Sequence, residues 1–212
     1  MPLSRLLDRS DVLHETILRY LDHSSFYDSS REEASFGMCS VSLEHAQSLR
    51  LLFAADLPTS AVGLLRLQFE ALTRAIWLLY AAPELAVEKL MPPLSLQSEQ
   101  GANNLPSLSS MVDEIGRSIA KGTPTQAHRM LVQFKDVTWK SLNSYVHGGI
   151  HPLRRHTEGF PIPLAAQIVQ SSNGLLTMAG MTLAVLTGEQ LVASAIKRIP
   201  LDFEDCLPPL IR

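Results

Sequence analysis

Twenty-five consecutive residues, Pro58 to Ala82, carry only three charges and are otherwise mostly Leu, Ala, Ile, Val, Phe and Trp. At 3.6 residues per turn such a stretch is apolar on nearly every face, which makes it a buried helix rather than a surface one. Its charges, Arg66, Glu70 and Arg74, recur at every fourth position and so form one stripe along the helix. Ions withdrawn from water must be paired or must line a wet cleft, because an isolated buried charge costs several kcal/mol. The rest of the chain is therefore expected to supply what this stripe faces.

A second stretch, Gly159 to Gly188, has no Asp, Glu, Lys or Arg in thirty residues. Its middle is polar, Gln167 to Gly174, and the clean apolar run that follows, Leu175 to Leu186, is too short to span a bilayer. A core helix is expected there, and no membrane partner. Leu and Ala dominate while aromatics make up 6%, a balance that suits packed helices better than a sheet. The reading is a single all-α domain over residues 1–212, a helical bundle of six to eight helices with its core at about 41–187. An N-terminal helix covers 5–22, a polar loop follows from His23 to Met38, and Ser40 or Ser42 caps the second helix. Pro92-Pro93 ends a short helix, and Leu94 to Pro106 and His151 to Phe160 read as loops. A last helix over 189–198 leads into an irregular Pro-rich tail. The N-terminus has charges among its apolar positions and so lacks the core of a secretory signal, and the two cysteines suggest neither a disulfide framework nor a zinc site. The expected location is cytoplasmic, with no cofactor and no metal.

Net charge is −3, which excludes a global field toward nucleic acid or anionic membrane, yet residues 121–156 hold six Lys and Arg against Asp136 alone. Anionic ligands should bind there. Within it Asp136, Lys140, Asn143 or Ser144, and His147 share a helical face ending at Gly148-Gly149. Two polar stripes on two long apolar helices suggest a shared seam in which Arg66, Glu70 and Arg74 meet Asn143, Ser144 and His147. One reading is a structural Arg-Glu-His network. The other is an anion or phosphate site, with arginines on forked oxygens and His147 moving protons near neutral pH. Arg154 and Arg155, on the following loop, would add to substrate binding or belong to a solvated surface.

Leu65-Arg66-Leu67-Gln68-Phe69-Glu70, followed by Leu142-Asn143-Ser144-Tyr145-Val146-His147-Gly148-Gly149, resembles a set of uncharacterised bacterial helical proteins that is itself similar to HEPN domains and abortive-infection proteins. The resemblance covers about Val41 to Leu186. It implies a helical bundle that forms homodimers, a role in defence or as a toxin, and metal-independent RNA cleavage by an Arg and a His with four to six residues between them. His147 would be the acid or base. The sequence departs from that motif, because six intervening residues before His147 lead to Lys140 and no arginine is in place. Lysine keeps the charge but loses the planar fork; Asn143, one turn before His147, is placed to orient the ring. Arg9 to His14 fits the spacing literally, but roughly one such match is expected by chance in this composition. Arg66 or Arg74 would have to stand in for the missing arginine. Two further classes compete with RNA binding or cleavage: a non-catalytic helical interaction module, and a pocket for a small anionic ligand. There is no Gly-rich phosphate loop, no G-x-S-x-G elbow and no Cys-His pair, which removes the common NTPase, hydrolase and thiol-enzyme readings.

Overall fold

The nearly uncharged stretch folds as α3 (Pro58–Tyr80), with proline in its first turn, in a computed structural model that describes residues 1–22, 24 and 29–209. Around it in chain order lie α1 (Leu3–Leu21), α2 (Ser30–Ala54), α4 (Glu84–Glu88), α5 (Leu96–Ala102), α6 (Leu108–Arg117), α7 (Thr125–Val146), α8 (Ile150–Glu158), α9 (Ile162–Leu186) and α10 (Gln190–Asp202). Single 3-10 turns occupy Ile119–Lys121 and Glu204–Cys206, and the described residues contain no strand.

The closest packing is α2 on α3, and the sequence shows why. Ser35, Cys39, Ser42 and Ala46 recur at spacings of four, three and four, all fully buried, so one face of α2 is a strip of small side chains that lets the two backbones approach. Two hydroxyls then reach across: Ser35 Oγ donates to the Ala75 carbonyl at 2.9 Å and Ser42 Oγ to the Gln68 carbonyl at 3.2 Å. The buried Gln68 amide ties in α9, donating from Nε2 to the Ser172 carbonyl at 2.9 Å and accepting from Ser172 Oγ at 2.7 Å. Ser35, Ser42, Gln68 and Ser172 thus each meet a complement, which avoids the ~1–3 kcal/mol cost of an orphan at those positions.

α1 packs chiefly on α9, with Leu6, Leu13 and Ile17 in the common core, and a buried ion ties it to α2. Arg50 of α2, only 4% exposed, donates from Nε to Asp11 Oδ1 at 2.6 Å and lies 2.8 Å through Nη2 from His14 Nδ1. Arginine can only donate, so Nδ1 must accept and the His14 ring is neutral. Burial, and after it the Arg50 charge, lowers its pKa to about 4. The C-terminal segment is fastened to the same helix by Asn173 Nδ2, which bonds both Ser10 Oγ and the Cys206 carbonyl at 2.8 Å, and by Arg9, paired with Asp205 and stacked 4.0 Å over the Phe203 ring. Arg9 and His14, the literal Arg-His match, are thus both committed to packing.

The described residues form ten α-helices against the expected six to eight, because two stretches read as loops each hold a helix, α5 and α8, while a third holds the start of α2. α2 starts ten or more residues before Ser40 and Ser42: Ser29 accepts from the Glu32 N–H while Glu32 reaches back to Ser29, a capping box written in the Ser-Ser-Arg-Glu cluster. Ser40 and Ser42 sit mid-helix. α5 begins under a Ser95–Ser98 cap, and α8 occupies most of the expected 151–160 loop. Part of the expected loop, residues 23 and 25–28, and the last three residues of the expected tail, 210–212, lie outside the described residues. α10 continues past Arg198 to Asp202, with Pro200 inside it. α9 is buried over most of its length as expected, and among the described residues no helix is long and apolar enough to cross a membrane.

Two stability predictions follow from this packing. A Cβ added at Gly180 of α9 would lie 2.7 Å from Ile17 Cγ2, on a fully buried, β-branched side chain that is stiff about χ1, whereas Gly63 of α3 faces open space. Gly180→Ala should lower Tm despite its helix-propensity gain, since overpacking costs ~1–3 kcal/mol, and Gly63→Ala should raise it by about 2–3 °C. The native pKa of His14 lies below its unfolded value, so its neutral form stabilises the fold above about pH 6.5, and that contribution is lost as pH falls toward 4. Between pH 7 and 5 the loss amounts to at most about 2 kcal/mol; thermal melts of His14→Asn, which keeps an acceptor near Nδ1, should show a flatter decline over that interval than wild type.

Candidate functional site

The seam between α3 and α7 is built from aromatic packing before any charge enters it. Phe69 stacks on Phe134 with centroids 4.5 Å apart and meets Trp139 edge-on at 6.4 Å. Those pairings make the two helices antiparallel, since moving back from Phe69 to Arg66 moves forward from Phe134 to Trp139. Arg66 closes the end of this cluster: its guanidinium lies 4.2 Å over the Trp139 ring and its Nε donates to Glu70 Oε1 at 2.7 Å. The Arg66 side chain is 13% exposed and that of Glu70 29%. The cation therefore has a ring on one side and a carboxylate on the other, joined by one hydrogen bond rather than the bidentate fork that a fully sealed pair would make. Trp139 is the partner that the Arg66 stripe called for, and it follows from the pairing of α3 with α7 rather than from any spacing within either helix.

α7 turns its polar stripe elsewhere. Its buried residues are Leu131 and Leu142, and Asp136, Lys140 and His147 are exposed on the opposite side of the helix. Asn143 and Ser144 are half-buried between the two sides. Among the described residues no hydrogen bond or ion pair joins Arg66, Glu70 or Arg74 to Asn143, Ser144 or His147. Trp139, under Arg66, stands eight residues before His147, about 12 Å along the helix at 1.5 Å per residue. Arg74 stands the same distance from Arg66 along α3, half-buried, with its Nε buried and without a hydrogen-bond partner. The expected single seam is thus resolved into an Arg66–Glu70–Trp139 cluster and a separate exposed basic end.

The motif at that end is largely a joint. Gly148 takes φ +64°, a left-handed position suited to glycine, and a side chain on Gly149 would collide with Ser144 Oγ at 2.5 Å. Ser144 Oγ accepts from the His151 N–H at 3.1 Å, satisfying a free donor in the first turn of α8. The motif therefore fixes the angle between α7 and α8, and α8 in turn presents His151, Arg154, Arg155 and His156. Arg154 pairs with Glu158 at 3.1 Å on the surface. Lys140 and Arg155 form no ion pair among the described residues. Arg155 faces the half-buried Tyr145, whose phenol is pushed up by burial and held back by that guanidinium. Ile150 and Leu153 stand exposed between the basic groups. Among the described residues no group of three His, Cys, Asp or Glu is arranged to hold a metal ion.

In comparison with known proteins, residues 39–209 match the model of a family of unknown function (DUF6988). No curated protein and no solved structure matches the chain.

The geometry separates structural from surface roles in a measurable way. Arg66→Ala removes the ring contact and leaves Glu70 without its cation, a loss of about 2 kcal/mol, so Tm should fall by about 4–8 °C. His147→Ala and Lys140→Ala, both at exposed positions, should leave Tm within about 2 °C of wild type.

Proposed function

The chain belongs to the family of unknown function DUF6988, and we propose that it is a HEPN-like helical module that binds RNA through the α7–α8 end without cleaving it. The observation that carries this reading is the division of the cations. Arg66 is committed to Glu70 and Trp139, whereas the exposed Lys140 and the half-buried Arg155 stand at the other end with no ion-pair partner among the described residues, beside His147, His151 and His156. Unpaired cations on adjoining elements attract a polyanion and gain from the counterions it releases. The likeness to HEPN domains rests on the all-helical architecture and on a long helix ending in His147-Gly148-Gly149. A place in defence or as a toxin, and a homodimer, are what that likeness implies.

A second reading, metal-independent cleavage with His147 as acid or base, is favoured by one feature: His147 is exposed at the end of α7, immediately before the basic helix. Against it, no arginine is committed to the same point, and Lys140 offers a point charge in place of a fork.

One experiment separates the readings: fluorescence anisotropy and gel analysis of a mixed single-stranded RNA pool in EDTA over a salt series. Binding without cleavage is expected, weakening with salt; Lys140→Ala and Arg155→Ala should each flatten the salt dependence by roughly one phosphate contact, Lys140→Ala, at an exposed position, with Tm unchanged. Cleavage that disappears in His147→Ala, again at unchanged Tm, would establish the second reading. RNA that neither binds nor is cut at low salt would remove both.

A further inference from the structure

Away from the basic end, α3, α7, α9 and α10 leave a cavity of about 320 Å³ between them, within the range of small-molecule sites. Its walls come from Ile76 on α3, Met130 on α7, Met178 and Met181 on α9 and Ile196 on α10. Three methionines give a wall of flexible, polarisable side chains that adapts to the shape of an apolar occupant.

The polar atoms in this lining divide into two kinds. Thr177 Oγ1 donates to the Asn173 and Gly174 carbonyls and Thr182 Oγ1 to the Met178 carbonyl, all at 2.9 Å, so both hydroxyls are turned back onto their own helix. They make no demand for water inside. Three other lining groups have no hydrogen bond or ion pair among the described residues: the amide of Gln126, the phenol of Tyr80 and the ammonium of Lys197. Gln126 and Lys197 are exposed and Tyr80 is half-buried, which sets the unpaired donors toward solvent and the methionines within. Among the described residues Lys197 is the one charged member of the lining, and no carboxylate stands with it.

An apolar chamber bearing a single cation matches an amphiphile with the opposite charge. We propose that this cavity is a binding site for a medium-chain monocarboxylate, its hydrocarbon tail against the methionines and its carboxylate on Lys197, with the Tyr80 hydroxyl as a second donor. Lysine supplies a point charge to the head group, and the tail provides affinity by leaving water. The site is independent of RNA binding at α7–α8 and stands or falls separately from it.

Isothermal titration calorimetry with hexanoate, octanoate and decanoate, below their aggregation concentrations, tests the proposal. Each added methylene should tighten binding about fourfold, until the cavity is full, and decanoate should bind at least tenfold more tightly than decyltrimethylammonium. Lys197→Glu lies on the surface and should abolish or invert that preference at unchanged Tm. Ala127→Phe, which places a ring in the cavity, should weaken every carboxylate, and retention of the wild-type helical signal keeps that result interpretable. Absence of binding at millimolar decanoate would overturn the proposal. So would equal affinity for the cationic and anionic amphiphiles, or a preference that survives Lys197→Glu.

Discussion

The close approach of α2 to α3 is the constraint on which the remaining packing depends. Ser35, Cys39, Ser42 and Ala46 are fully buried along one face of α2, and only side chains of that size allow a hydroxyl on one helix to reach a backbone carbonyl on the other. The carbonyls of Gln68 and Ala75 already accept within α3, so each serine uses a second lone pair and costs the helix nothing. A larger residue at Cys39 or Ala46 would separate the backbones and break both bonds together, and the orphaned hydroxyls would add to the strain of overpacking. Because Gln68 lies on the same part of α3 and bonds Ser172, the spacing of α2 and α3 also sets where α9 can lie. α1 then docks against α9 with Gly180 beneath Ile17, a contact that tolerates no side chain at that point.

Two arginines show how differently one residue type can be accommodated in this bundle. Arg50 is more deeply buried and more fully satisfied, with Asp11, the Ala46 carbonyl and the neutral ring of His14 around it. Its partner Asp11 remains at the surface, so the charge is neutralised at the boundary rather than in the interior, where desolvation of both ions would be severe. Arg66 has fewer hydrogen bonds and relies on the face of Trp139. A delocalised, weakly hydrated cation suits both places; an ammonium would lose the stack in one and the fork in the other.

The sequence makes the two uncharged core helices plain because their composition leaves no other environment for them, and it locates the Arg66 stripe for the same reason. It conceals Arg50, whose helix carries polar residues on all sides; the small-residue strip at 35, 39, 42 and 46 is the true core face, and serine reads as a surface residue unless its cross-helix acceptor is known. The start of α2 was nonetheless legible, since Ser29 followed by Glu32 is a capping box. On α7 the polar positions do share a face, as their spacing requires. Spacing fixes which residues are neighbours on a helix and leaves open the rotation of that helix in the bundle. That rotation is decided by Phe134 and Trp139 packing on Phe69 and by Leu131 and Leu142 entering the core, and it turns Lys140 and His147 outward. The His147-Gly148-Gly149 stretch was legible as a helix end, but Ser144 as the cap of α8 depends on a turn geometry that no periodicity encodes.

The rotation of α7 also explains why the surfaces with binding chemistry gather along it. α3 and α9 are enclosed by neighbours on most sides, so almost any group on them must be apolar or internally satisfied. α7 buries only Leu131 and Leu142 fully; it lies on the central helices and keeps its other faces for different uses. Near its N-terminus Ala127 and Met130 complete the wall of the methionine cavity, and at its C-terminus Ser144 orients α8 and the basic groups. The two ends are separated by the Phe69–Phe134–Trp139 stack, a rigid aromatic layer that holds the helix against α3 whatever occupies either end. A bundle arranged in this way can vary its ligand chemistry by substitutions on α7 and α8 while the α2–α3–α9 packing that specifies the fold stays unchanged.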